Sequence, residues 1–568
     1  MMGMMEGNFV NSSQLSKQTS TLLLILCLLL SAGPKINGKP IFHIKPKRPA
    51  LVVLIAVDGL GADIFTRYAS LFTGGFRRLR ERGMNFSQAM VNHAITISHP
   101  GHVTLSTGMN PARHGIVDAA FYQLEGSGWQ FVDALEDSAE HIPGVTESEG
   151  VSPRKILVSA LPEWIADADP QSRMVAVGSG QYSSLLHAGH LRGDVYWYMN
   201  SVGRFVTSTY YRHDYPEWIE RFNREALPKY IQASATWQNE APVPYRRFAR
   251  RDDAPYEGYR GQTSFPHAYN KVVTSPTAAT EVPLFTWFAG TPFLDAATLE
   301  LAKEAVNARA LGQRRATDYL SIVVSQVDDI GHTYGAGSQE QLDNLLRLDR
   351  ELGDFFKFLD ERVGKGNFLV ALSADHAMMD IPEYQREIGQ PGRRITEAEV
   401  NAVLQEVRTV TAKSTGTREE IAARIAQVVK RYDFVEDVMT PGQLTDTSAT
   451  SDEMRRLYRN SYRSDRVPRF PLFNFSYGAS AIGKSGVMVR LARGAVVDLD
   501  RALHGSPYDY DRHVPLLFMG PGVRAGSTTA LVYTVDVAPT LARLAGIPAP
   551  KGLDGRPLLM RRARSKPG

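Results

Sequence analysis

The sequence predicts an α/β protein built on a mostly parallel sheet, and three observations carry that reading. Apolar, strand-like stretches run from Leu51 to Val57, Leu320 to Val324 and Phe368 to Leu372. Strand and helix patterns alternate from Leu51 to about Gly178, which is the rhythm of successive βα units. Each of the three apolar stretches is followed closely by Asp, or by Asp and His, at the strand ends where open α/β sheets place their sites.

At 568 residues the chain is long enough to bury a large core and to carry insertions on it. Its 43% hydrophobic and 22% charged residues are ordinary for a globular protein. A formal charge of +4 is too small to argue for a nucleic-acid groove, and the basic run Arg561 to Lys566 reads as a solvated tail.

Taken in order, residues 1–33 read as a secretory signal peptide. Lys17 precedes the apolar block Thr21 to Leu30, and the small residues Ser31-Ala32-Gly33 follow it. The block is about half of the ~20 apolar residues that a span needs, so no membrane span is expected after cleavage. Leu26 is bulky for a lipidation signal at Cys27. Cys27 is the only cysteine, and its loss leaves neither disulfide nor thiol chemistry. A periplasmic or secreted protein is expected.

Residues 45–568 then read as one discontinuous domain. Helices are expected at Gly74 to Arg82, at His102 to Thr107 and at the amphipathic stretch Lys155 to Ala168, with a strand at Arg173 to Val177. From about 191 to 298 the rhythm is lost. The stretch is rich in aromatics (Trp197, Tyr198, Tyr210, Tyr211, Trp218 and Trp237) and is expected to be an inserted cap. Core patterns resume at Leu299, with a later helix whose apolar face is Leu342, Leu345, Leu346, Leu352, Phe355, Phe356 and Leu359. A second insertion is expected at 390–485, with helices around Glu397 to Val407 and Arg418 to Tyr432. The core is expected to return at Gly486 to Leu491 and again at His513. The last helix runs from about Val537 to Ala545, with Asp536 as N-cap, Pro539 in the first turn and Gly546 as the stop.

The chemistry lies in short runs: Asp58-Gly, Asp328-Asp-Ile-Gly-His332, Asp375-His376, His504-Gly-Ser, and Ser98-His-Pro-Gly-His102. Three Asp, three His and a Ser suffice for two metal sites with a nucleophile between them. Carboxylate and imidazole without thiolate suit Zn²⁺ best; three His fit Mn²⁺, Mg²⁺ or Ca²⁺ less well. Two such ions roughly 4 Å apart stabilise the attacking and leaving oxygens of an in-line displacement. Ser98 is also placed to be a helix N-cap, a role compatible with catalysis because helix N-termini favour anions.

These motifs, together with Val-Thr-Leu-Ser-Thr-Gly108, His114-Gly-Ile and Asp536-Val-Ala-Pro-Thr-Leu, resemble the alkaline phosphatase superfamily. The nearest branch is that of type I phosphodiesterases, nucleotide pyrophosphatases and phosphate-irrepressible alkaline phosphatases. The resemblance covers Val52 to about Leu558 and implies an alkaline phosphatase-like three-layer sandwich, with helices on both faces of the sheet and inserted caps. It implies one zinc held by Asp328, His332 and His504, and a second held by Asp58, Asp375 and His376, with Ser98 as nucleophile on the latter. His513 is a weaker alternative to His504, while His102, His114 and Asp329 are expected to be structural or to orient the ligands. The implied activity is hydrolysis of a small-molecule phosphoric ester through a covalent phospho-enzyme.

Two departures from the monoesterase members bear on substrate. Where those carry an Asn after the His-Gly-Ile run, this chain has Asp118-Ala119-Ala120; a Lys-x-Arg pair is replaced by Gly180-Gln-Tyr182. Without these groups an extra phosphate charge is less well stabilised, so phosphodiesters or nucleotide pyrophosphates are expected to be favoured over monoesters. Arg192 or His190 are candidates to restore the missing contact. A sulfatase is disfavoured because its nucleophile is followed by x-Pro-x-Arg, whereas this run ends in His102. A non-catalytic, metal-stabilised relative is disfavoured by the intact set of ligands.

Overall fold

The computed structural model describes residues 48–560, except 127, 147, 181–182, 259–260, 272–281, 413–414, 448–451, 469–483 and 498–501. The expected signal peptide, Cys27, Tyr182 and the basic tail lie outside the described residues.

Nine strands form the main sheet: β1 (Leu51–Val57), β2 (Met84–Met90), β3 (Met174–Gly178), β4 (Asp194–Met199), β5 (Arg204–Val206), β6 (Asp318–Val324), β7 (Phe368–Ser373), β8 (His513–Met519) and β9 (Gly526–Tyr533). Their order is β9-β2-β8-β7-β1-β6-β3-β4-β5. Pairings from β7 through β4 are parallel, β8 runs antiparallel to both its neighbours, and β5 runs antiparallel to β4. Every residue of β1 is buried, as are those of β6 and β7. Strands covered on both faces show continuous apolar runs rather than alternation, which is what made them legible.

Five helices matter to the site: α1 (Ser98–Thr107), α2 (Phe293–Ala308), α3 (Gln326–Tyr334), α4 (Gln339–Leu359) and α5 (Val537–Ala545). In α4 the hydroxyl of the N-cap Ser338 accepts from Gln341 N, and all seven apolar residues expected on its inner face are buried. No helix among the described residues is long and apolar enough to cross a membrane.

Several boundaries differ from expectation. The helix expected from Lys155 covers only Leu161–Ala168, because Pro162 is tolerated in a first turn but not inside a helix, and Glu163 turns back to accept from Ala160 N. The stretch 191–298 begins with β4 and β5, so Trp197 and Tyr198 are sheet residues packed in the main core. Buried on both faces, those strands show no alternation. Gly486 to Leu491 is not a return to the core: Met488–Leu491 pairs antiparallel with Val435–Met439, within the second insertion. That insertion has its own small core, where Val403, Leu404 and Val407 meet Ala422, Ile425 and Val429. The main sheet resumes only at β8.

At the end of the chain Asp536 does occupy the N-cap position of α5, yet its carboxylate accepts from Tyr533 N and Arg556 N instead of from the helix. Gly546, with φ of 69°, ends α5 in the left-handed conformation that glycine adopts at no steric cost.

Candidate active site

Because β1, β6 and β7 are adjacent and parallel, their C-terminal ends lie side by side. Asp58 follows β1 directly, Asp328 lies in the first turn of α3 just past β6, and Asp375 and His376 come shortly after β7. The sheet brings together residues hundreds of positions apart. Close backbone approach holds them there. A Cβ on Gly59 would stand 2.9 Å from the Cα of Asp328, and one on Gly101 would stand 2.6 Å from the carbonyl oxygen of Asp375. Glycine is the residue that permits both approaches.

The side chains converge. His332 Nε2 lies 3.2 Å from Asp328 Oδ2, and His504 Nε2 lies 3.6 Å from Asp328 Oδ1. His376 Nε2 is 3.4 Å from both Asp58 Oδ1 and Asp375 Oδ2. The rings of His376 and His504 stack with centroids 3.6 Å apart, which joins the two sets. Backbone carbonyls orient the imidazoles: Ala502 O is 2.6 Å from His332 Nδ1, Thr96 O is 2.8 Å from His504 Nδ1, and Ala377 O is 3.1 Å from His376 Nδ1. Such contacts fix which ring nitrogen faces the cluster. His513 is elsewhere, with its Nε2 2.9 Å from Ser87 O at the start of β8.

Ser98 opens α1 but does not cap it. Ile97 is the N-cap, and no side-chain cap is made. The Ser98 Oγ lies instead 3.2 Å from His376 Nε2. His102, expected to be structural or to orient the ligands, has its Nε2 3.5 Å from both Asp58 Oδ2 and Asp375 Oδ2. The signal was in the sequence, since residues four apart on a helix share a face. His114 is structural as expected, with Thr104 Oγ1 3.2 Å from its Nε2 and Ile116 N donating to its Nδ1.

Charge is concentrated here. Burial, then the Asp58 and Asp328 carboxylates, pushes the Asp375 carboxyl well above its ordinary range. Burial and Asp328 likewise raise Asp329 to about 7. Burial disfavours a charged His332, but the adjacent Asp328 outweighs it and raises the ring to about 9. Among the described residues, Asp58 Oδ1, Asp328 Oδ1, Asp375 Oδ2 and both nitrogens of His102 have no hydrogen-bond partner. Asp328, His332 and His504 form a group with ligand atoms within 4.8 Å of one another, as do Asp58, Asp328 and His376, and Asp58, His102 and Asp375. Buried oxygens without donors, facing imidazole nitrogens, form a donor set that fits cations.

A family model described as type I phosphodiesterase / nucleotide pyrophosphatase matches residues 52–470. The chain belongs to that family. It is 29% identical over 535 residues to alkaline phosphatase PhoV of Synechococcus elongatus, covering 90% of this chain and 92% of that protein. It is 28% identical over 535 residues to alkaline phosphatase PafA of Elizabethkingia meningoseptica, covering 90% and 94%. The crystal structure of wild-type PafA matches with a TM-score of 0.78 at 26% identity, over 91% of this chain and 99% of that one. The chain is a phosphoric ester hydrolase of the alkaline phosphatase superfamily.

Among the described residues, neither Arg nor Lys lines the surroundings of Ser98. Two cavities flank Ser98 and His99. One, of about 290 Å³, is lined by Asp58, Asp328 and Asp329 and by Ser179, Gly180, Ser183 and Asn200, with no Arg or Lys among the described lining residues. The other, of about 300 Å³, is lined by His332, His504, Asp118, Ala119 and a group of apolar side chains. Neither candidate for restoring a cation lines either cavity. Arg192 Nη1 donates to Tyr210 O and its guanidinium stacks over the Tyr210 ring, while His190 lies against Glu163 and Ile156 O.

Proposed function

We propose that the chain is a two-zinc hydrolase that uses Ser98 as a covalent nucleophile, with phosphodiesters or nucleotide-type phosphoanhydrides favoured over monoesters. The observation that carries this reading is the convergence of Asp58, Asp328, Asp375, His332, His376 and His504 on one place, with the Ser98 hydroxyl 3.2 Å from His376 Nε2. In this reading Asp328, His332 and His504 hold one ion, and Asp58, Asp375 and His376 hold the other. Bound there, the pair supplies Lewis-acid stabilisation to the entering and departing oxygens of a phosphoryl group.

The chain's own residues do the rest. Ser98 Oγ attacks phosphorus at the N-terminus of α1, where the helix dipole favours an anion. A bond from Oγ to phosphorus forms as the ester bond breaks, and the leaving group departs with the bonding pair. Water then attacks phosphorus and frees Ser98. His102, beside Asp58 and Asp375, steadies the two carboxylates, and the carbonyls behind the three imidazoles hold those rings in place. Export by an N-terminal signal peptide completes the proposal, which places the enzyme in the periplasm or outside the cell.

The substrate preference rests on the absence of Arg and Lys from the described walls of both cavities. A dianionic monoester needs donors for its extra charge, each commonly worth about 3 kcal/mol, whereas a monoanionic diester needs fewer. A monoesterase is the second reading, favoured by the names of the relatives that align over nearly the whole chain. The comparison that decides is kcat/KM for a nitrophenyl phosphate monoester against its alkyl nitrophenyl diester. A diester advantage of about tenfold or more is expected. A monoester advantage favours the second reading, and no turnover of either overturns both.

A further inference from the structure

The cavity on the His332 and His504 side of Ser98 has a character unlike its neighbour. Its walls are Ile95 and Ile97 from the core, Tyr458, Val489 and Leu491 from the second insertion, and Tyr508 beyond His504. Both tyrosines turn their hydroxyls away from the role of recognition: Tyr458 OH donates to Val489 O and Tyr508 OH to Leu491 O. What they offer to the cavity is ring. Asp511, also at its edge, already accepts from Ser506 N, Ser506 Oγ and Met379 N. The face formed by Ile95, Ile97, Tyr458, Val489, Leu491 and Tyr508 is therefore apolar, facing the polar side that holds Ser98, His332 and His504, and about 300 Å³ is room for an aromatic ring or a branched chain.

Its position relative to the nucleophile gives it a use. In an in-line displacement the leaving oxygen departs on the side of phosphorus opposite Ser98 Oγ. In the reading above Ser98 belongs with Asp58, Asp375 and His376, which leaves Asp328, His332 and His504 to the leaving oxygen; His332 and His504 line this cavity and not the other one, while Asp328 lines the other. We propose that this cavity is the leaving-group subsite, and that it selects esters whose departing group is aromatic or otherwise apolar, with the second insertion supplying the selectivity. The proposal rests on the Ser98 reading above and goes beyond it by naming the class of alcohol or phenol released, which narrows the favoured substrates from phosphoanhydrides to phosphodiesters.

Competitive inhibition separates the organic group from the reactivity of the ester. Phenylphosphonate, methylphosphonate and inorganic phosphate are each titrated against turnover of a nitrophenyl substrate by the metal-loaded enzyme and by its Leu491→Asp and Ala492→Glu variants, both at residues that line the cavity. Both substitutions bring a carboxylate to the apolar wall and touch neither Ser98 nor the ligand cluster; two are used in case one fails to fold. In the parent enzyme phenylphosphonate is expected to bind about tenfold or more tightly than methylphosphonate, about 1.4 kcal/mol. In a folded variant that ratio is expected to fall to about one while inhibition by inorganic phosphate is unchanged. A parent ratio near one, or a ratio the variants leave intact, overturns the subsite. Absence of inhibition by inorganic phosphate would instead mark failure of the phosphoryl-transfer reading itself.

Discussion

Ser98 is the residue on which the account turns. Its hydroxyl is not consumed by capping, sits 3.2 Å from His376 Nε2 and borders both cavities. Ser98→Ala is expected to lower kcat by about a thousandfold or more with metal content unchanged, since removal of a covalent nucleophile commonly costs that much or more. Ser98→Thr, which keeps a hydroxyl, is expected to retain appreciable activity. An Ala variant of near-parent activity would leave Ser98 a mere element of the helix. At this scale the sequence was very legible. The six Asp and His residues singled out from short motifs lie in one cluster, and His504 rather than His513 is the one that joins it. What escaped was geometry between segments: that His102 faces the Asp58 and Asp375 pair follows from helical spacing only once Ser98 is known to lie inside the helix.

At the scale of elements, the stretch around Trp237 shows how an aromatic, Arg-rich region is tied to the catalytic helices. Arg250 is buried and pairs with Asp380, Glu257 and the carbonyl of Tyr334, linking the C-terminus of α3 to the loop beyond His376. Nearby, His267 Nε2 lies 2.8 Å from Glu340 Oε1, both fully buried at the start of α4. Burial pushes the Glu340 carboxyl up to about 8 and lowers His267 to about 4, so near neutrality the pair is an uncharged hydrogen bond. A carboxyl raised in the fold binds a proton that the unfolded chain has lost. Stability from Glu340 is therefore complete below its ordinary value of 4.5 and declines as pH rises through about 8. Glu340→Gln removes that decline. The unfolding midpoint of the variant, relative to the parent, is expected to be higher at pH 8 than at pH 5.5 by about 2 °C or more; a pH-independent difference would contradict it. Elements with continuous apolar or strongly periodic sequences were legible, as β1, β6, β7 and α4 show. The strands β4 and β5 were not, because β4 carries Tyr196-Trp197-Tyr198 in place of an aliphatic run and β5 is three residues long and opens on Arg204, and neither was the assignment of Met488–Leu491, whose partner strand is set by long-range pairing.

For the whole molecule, parallel β1, β6 and β7 deliver three acidic strand ends to one place, α1 presents a hydroxyl to them, and the second insertion closes an apolar wall on the far side. Buried carboxylates in such number repel one another, burial and the Asp58 and Asp328 carboxylates together raise Asp375, and a cation shared among them would relieve that repulsion. Binding of such a cation would contribute to folding as well as to reaction. Metal dependence is the claim on which nucleophile, substrate and subsite all depend, and metal content measured alongside turnover tests it most directly. The purified chain is expected to hold about two zinc ions, to lose both metal and phosphoric ester hydrolysis on chelation, and to regain both when Zn²⁺ is returned. Full activity in protein shown to be free of metal would contradict the account.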